Sequence, residues 1–226
     1  MKRLRNAILA AALATLSAAT FYGGASAVEA GAQAQAAKVA YVPIPAGEYK
    51  IDPAHSVIGF AIRHMEIAWV EGRFKDFEGT IRYDDKDVTK SSVEFAAKVT
   101  SIDTGVEGRD KHLRTADFFE VEKYPTMTFK STRVERKGGD AYVLHGDLTL
   151  KGVTKAVQLP FKVAGAVKDQ RGNTRFGVEA QATLNRRDFG INFGGDMPGG
   201  GLSIGNEVNI TLHLEALLPA PKPAGE

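Results

Sequence analysis

Apolar and polar residues alternate with a period of two along most of the chain between residues 56 and 215. Ile58, Phe60 and Ile62 share one parity of a run that ends at Arg63-His64. Val93, Phe95, Ala97 and Val99 form a second such set, and Met127 and Phe129 a third. The pattern recurs at Tyr142, Leu144, Gly146, Leu148 and Leu150, then at Val157, Leu159, Phe161 and Val163. It continues at Phe176, Val178, Ala180, Ala182 and Leu184, and finally at Val208, Ile210, Leu212 and Leu214. Such alternation marks half-buried strands. Val70, Gly72 and Phe74 hold one parity while Phe77, Gly79, Ile81 and Tyr83 hold the other, so a β-bulge near Lys75-Asp76 is predicted. Turn chemistry separates the runs at Asp84-Asp85, Lys137 to Asp140, Lys151-Gly152 and Asp169 to Asn173. Only Gly108 to Phe119 reads as helical, with Tyr124-Pro125 ending that segment.

The count is about eight long strands, joined mostly by short turns. Antiparallel strands with one apolar face must close or stack to hide their edges. A sandwich and a closed barrel both satisfy the pattern. Glycines inside the strands (Gly59, Gly72, Gly79, Gly146) favour the bends of a barrel. The expected fold is therefore all-β: a closed antiparallel barrel of about eight strands with one short helical insertion. A barrel of this size is either filled by its own side chains or holds one small ligand.

The ends of the chain carry different patterns. Lys2, Arg3 and Arg5 precede an apolar run from Ala7 to Phe21 and a small-x-small site at Ala25-Ser26-Ala27. This is a secretory signal, with cleavage expected after Ala27, so residues 1–27 are an address and not structure. The apolar run is short and Ala-rich for a membrane anchor. Residues 28–46 read as a linker, 47–218 as the folded domain and 219–226 as a disordered, Pro-rich tail. Removing the signal takes three of the 29 basic residues and no acidic ones, leaving 26 against 27. The sequence pI of about 8.7 therefore belongs largely to the precursor. A near-neutral mature chain has no nucleic-acid footprint. The absence of cysteine excludes disulfides, thiolate metal sites and a cysteine nucleophile. A bacterial periplasm is the expected location, with stability drawn from core burial alone.

Candidate chemistry is sparse. Gly201-Leu202-Ser203-Ile204-Gly205 matches the nucleophile-elbow pattern, but it follows a glycine run and leads into a strand, without the strand-to-helix turn the motif needs. An exported esterase using Ser203 is the weaker alternative it prompts. His55, His64, His112, His145 and His213 are scattered, with no metal-binding spacing, so no metal site is expected. Arg63-His64 and Asn185 to Gly190 put charged groups at the ends of apolar strands. They read as a solvated rim or ion pairs, or else as a polar lip for a ligand head group. Arg109-Asp110 and Asp117 read as helix-capping and loop-locking groups. No phosphate-cradling loop is found.

Several segments together resemble the YceI-like family. They are Tyr49 to Met65, Val70 to Gly79, Ser101 to Gly105, Arg109 to Leu113, Asp117 to Phe119, Tyr124-Pro125, Gly146 to Gly152 and Asn185 to Ile191. They run in family order over about residues 47 to 217. One departure is Glu66-Ile67-Ala68, where the family often carries a glycine after the Met. The resemblance implies a lipocalin-like barrel that binds a long isoprenoid-type lipid, such as a quinone or a polyprenyl phosphate, for transport, storage or sequestration. It also implies export, a tendency to dimerise and, in some members, scavenging of hydrophobic antibiotics. From the charge balance, the short apolar run and the missing motif contexts, no catalysis, no cofactor, no nucleic-acid partner and no stable membrane insertion are expected. On the lipid-binding reading the ligand is faced by Ile58, Phe60, Ile62, Phe74, Phe95, Phe129, Leu148, Phe161, Phe176 and Ile210, with Arg63, His64, Arg186 and Asp188 at the rim. In a filled barrel the same apolar residues are simply core.

Overall fold

The computed structural model describes residues 39–221, so the signal segment 1–27, most of the segment read as linker and the last five residues of the tail lie outside it. Within that range the chain forms eleven strand segments, nearly all hydrogen-bonded to antiparallel neighbours. They are β1 (Gly47–Ile51), β2 (Val57–His64), β3 (Ala68–Phe74), β4 (Phe77–Tyr83), β5 (Ser92–Lys98) and β6 (Ile102–Asp103). After one helix, α1 (Glu107–Leu113), come β7 (Thr126–Gly138), β8 (Ala141–Leu150), β9 (Val153–Lys168), β10 (Thr174–Asn185) and β11 (Ile204–Leu218).

Eleven segments reduce to eight barrel positions because the first three long strands are each broken once. β11 pairs with β2 along residues 204–213 and with β1 at Ala216 and Leu217, so β1 and β2 occupy one position. β3 and β4 occupy the next, since β3 pairs with β2 and β4 with β1. β5 and β6 occupy the third, on β4 and β3 respectively. The pairing of β1 with β11 closes the ring into an eight-stranded antiparallel barrel.

The break between β3 and β4 falls at Lys75-Asp76, where the parity switch predicts it. Its freed amides are not left bare: Ser101 Oγ accepts from Lys75 N–H at 3.1 Å and from Asp76 N–H at 3.0 Å. The bulge of one strand thus docks on the bend of the next, and every inner residue keeps its face. The β8 glycine has a comparable reason. A Cβ at Gly146 would lie 2.4 Å from the Phe129 ring and 2.6 Å from the Lys130 carbonyl. Only glycine lets that ring lie across β8.

The helix is shorter than the expected Gly108–Phe119. It ends at Leu113 because Thr115 Oγ1 donates to the His112 carbonyl, diverting the chain into turns. Of the segment read as linker, the described residues hold a bridge between Val42 and Ala166, and Val42 and Ile44 pack on the core. The turn between β2 and β3 departs from ordinary turn chemistry: Met65 and Glu66 have φ of 51° and 61° without glycine. Two contacts hold it there, Met65 N–H to the Ser203 carbonyl and Leu202 N–H to Glu66 Oε1.

Arg175 ties the seam of the barrel. Its guanidinium donates to Asp52 in the β1–β2 bend, to Asp169 in the β9–β10 turn and to Glu215 on β11. His55 and Arg175 together hold the Asp52 carboxyl down at about 2. Asn173 and Arg175 hold Asp169 below the usual carboxylate range. Depressed acid pKa values confer stability above the unfolded value of about 4, and that stability is lost as pH falls through the folded values. Arg175→Met is expected to lower the thermal midpoint by about 4–8 °C at neutral pH, for a cost of roughly 2 kcal/mol. It should also shrink the drop in midpoint between pH 5 and pH 2. A melting series across that range checks both; an unchanged acid slope would show that Arg175 carries none of the linkage.

Candidate ligand-binding site

Barrel closure turns the common apolar parity of eight strands inward, and the tube it makes is hollow. A cavity of about 430 Å³ is bounded by inner residues of all eight positions. Ile58, Phe74, Phe129, Leu148 and Phe176 are buried around it. Phe60, Ile62, Phe95, Phe161 and Ile210 also face it but stay only half-buried. Side chains that point into a barrel and still keep accessible surface mean that the barrel has not filled itself.

The two ends differ. At the end where β1 begins, Tyr83 and Tyr49 pack on Phe176, with ring centroids 6.0 and 4.7 Å away. Burial pushes the Tyr49 hydroxyl up to about 12, and that hydroxyl donates to the Pro45 carbonyl at 2.8 Å. The opposite end carries the β2–β3 turn, the α1 segment and the long loop from Arg186 to Ser203. Leu113, Phe118 and Phe119 from the first segment, and Phe189, Ile191 and Phe193 from the loop, reach over the cavity. The two cover pieces meet where Phe193 lies 4.9 Å from Phe118 and 4.8 Å from His112.

Polar lining groups concentrate at this covered end: Arg63, His64, Thr104, Arg109, His112 and Arg186. Arg63 lies over the exposed Trp69 ring at 4.2 Å. Arg109 donates from Nε to Thr104 Oγ1 and from Nη2 to the Thr104 carbonyl. Asp110 fixes Thr104 from the other side, accepting from its N–H and its hydroxyl. Arg186 is buried and donates to the carbonyls of Gly205, Ile191 and Ile204. Burial lowers its pKa.

Thirteen of the fourteen residues expected at the site from sequence lie in this lining. Asp188 does not. It sits in the 3-10 turn Arg186–Phe189, where positions three apart share a face, so Arg186 and Phe189 turn inward and Asp188 is left exposed. The α1 segment and the Phe189–Phe193 stretch were not expected there. Phe118-Phe119 inside a polar segment is the one hint the sequence holds. Arg109, read as a loop-locking group, both locks Thr104 and faces the cavity.

Ser203 Oγ accepts from Gly195 N–H on a loop that enters β11, not on a strand-to-helix turn. His55 and His64 stand at opposite ends of β2. Asp52, His55 and Glu215 converge within 4.8 Å, but the Arg175 guanidinium bonds both carboxylates. Asp117 pairs with His112, and Glu135 with His145. No helix among the described residues is long and apolar enough to cross a membrane.

Comparison with known proteins fits this architecture. The family model described as the YceI-like domain matches residues 49–216. Protein YceI of Escherichia coli O157:H7 is 45% identical over 148 residues, covering 65% of this chain and 77% of that protein. The UPF0312 protein plu2095 of Photorhabdus laumondii is 44% identical over 154 residues, covering 67% and 79%. Among solved structures, Burkholderia cenocepacia BcnA superposes with a TM-score of 0.63 at 25% identity, over 73% of this chain and 98% of that one. A polyisoprenoid-binding domain from Saccharophagus degradans shares the fold at 18% identity, with a TM-score of 0.55 over 76% and 98%. With the strand order, the bulge and the inward face all in place, the match across the whole barrel shows that this chain belongs to the YceI-like family.

Proposed function

We propose that the protein is an exported carrier that holds one long isoprenoid-type lipid, a quinone or a polyprenyl phosphate, inside its barrel. The observation that carries this reading is the hollow interior, apolar along its length and with its Arg and His side chains at one end only. The shape suits a molecule with an extended hydrocarbon tail and one polar head. The Saccharophagus degradans domain, described as polyisoprenoid-binding, has the same fold and supports the reading. The signal pattern in residues 1–27 supports a periplasmic carrier.

Magnitudes say which contacts dominate. Burying one CH₂ is worth about 0.8 kcal/mol, so even a few isoprene units outweigh a charge-assisted head-group bond of about 1.5–3 kcal/mol. Ordering the flexible tail cancels part of the sum. Affinity should therefore follow the tail, and the rim should set orientation and head preference. Native mass spectrometry of gently purified full-length protein, followed by organic extraction, is expected to find one co-purifying long-chain isoprenoid per chain. An empty protein that also refuses added quinones and polyprenyl phosphates would end the carrier reading. Cell fractionation with N-terminal sequencing is expected to find a periplasmic form beginning at Val28.

A further inference from the structure

Charge in the cavity has one sign. Its lining contains three arginines and two histidines, and no Asp, Glu, Asn, Gln or Lys. All five sit at the covered end. Elsewhere the barrel pairs its charges closely: Arg175 alone meets three carboxylates. Among the described residues neither Arg63, Arg109 nor Arg186 has an ion-pair partner.

Each of the three is held differently. Arg63 is stacked on Trp69, and Arg186 spends its donors on three carbonyls. Arg109 is anchored along one edge only, by Thr104, which leaves its Nη1 without a partner among the described residues. No buried side-chain nitrogen or oxygen among those residues lacks a hydrogen bond, so that Nη1 keeps accessible surface, on a residue that lines the cavity. Two acids of the α1 segment are set back. Asp110 acts through the Thr104 hydroxyl, and Asp117 binds His112 from outside the lining. A guanidinium fork with a free edge fits a phosphate or a carboxylate in two parallel bonds. Its apolar surroundings keep the attraction from being screened as it would be in water. A neutral quinone carbonyl would use a single donor and leave the positive charge uncompensated.

We infer that the cavity selects lipids with an anionic head, a phosphate or a carboxylate, over neutral quinones and alcohols, with Arg109 as the main contact. This inference rests on the carrier reading and narrows its ligand class. It is tested by displacement of a fluorescent apolar probe from the full chain. The competitors are a polyprenyl monophosphate and the carboxylate, alcohol and quinone of the same tail length. The two anions are expected to bind about 10- to 100-fold tighter than the alcohol and the quinone. Which anion binds more tightly tells phosphate from carboxylate. The anion-to-alcohol ratio should fall about tenfold in Arg109→Gln and should shrink with added salt. Equal affinities for charged and neutral heads in the wild-type chain, or a tighter quinone, overturn the inference and leave carriage intact. If none of the four displaces the probe, carriage itself fails. The wild-type comparison needs no variant, so a poorly folding Arg109→Gln leaves the test decisive.

Discussion

A tryptophan placed at Leu159 or at Val178 is expected to weaken lipid binding by about 100-fold while the barrel stays folded. Both residues line the cavity on separate strands, Leu159 opposite Leu144 on β8 and Val178 opposite Leu214 on β11. An added indole takes space that several tail methylenes would otherwise fill. At about 0.8 kcal/mol per CH₂, discounted for tail ordering, a loss near 2.7 kcal/mol follows, which is about two decades in Kd. The indole itself enters empty space, so the overpacking cost of 1–3 kcal/mol known for filled cores should be avoided. Ligand titration with a thermal melt checks the pair of claims. If both variants unfold, the interior is tighter than its volume implies. If both fold and bind unchanged, the tail does not lie there.

The second large effect is expected at Arg186. It is 4% exposed, and it holds the carbonyls of Gly205, Ile191 and Ile204. Those bonds pin the start and the end of the loop that covers the cavity. Arg186→Met keeps the stem but strands buried acceptors, each costing about 1–3 kcal/mol. A total near 3–5 kcal/mol is expected, with a fall in thermal midpoint of roughly 10 °C or more. Because the loop carries Phe189, Ile191 and Phe193 over the cavity, ligand dissociation should also quicken in whatever fraction stays folded. Asp188→Asn, two residues on and exposed, is the matching control. It should change stability by less than about 0.5 kcal/mol. A melt and a ligand-release trace on the two variants separate the outcomes. Equal behaviour would mean that Arg186 is no more structural than its neighbour.

The parity switch at Lys75-Asp76 foretold a bulge because inner faces must match across a sheet, a constraint local to one strand. Phe60, Phe129 and Phe161 were legible as inward residues for the same reason. Tyr49 was missed, since the five-residue β1 shows too few turns of the pattern to stand out. Asp188 reads as rim because it follows the end of an apolar strand, but the 3-10 turn there sends it to solvent while Arg186 turns inward. Arg109 reads as a loop-locking group, and that it also lines the cavity depends on where α1 rests.

Alternation with a period of two by itself determined the strands and their inner face, since each side chain's face is fixed by its own backbone step; closure into a barrel instead of a sandwich rests on the pairing of β1 with β11. The hollow interior, the aromatic cover and the one-signed charge at its edge were decided only in three dimensions. They depend on how far apart opposite walls settle and on where irregular segments dock. Those distances arise from contacts between residues far apart in the chain, such as Phe118 with Phe193 and Tyr49 with Phe176, which no local pattern encodes.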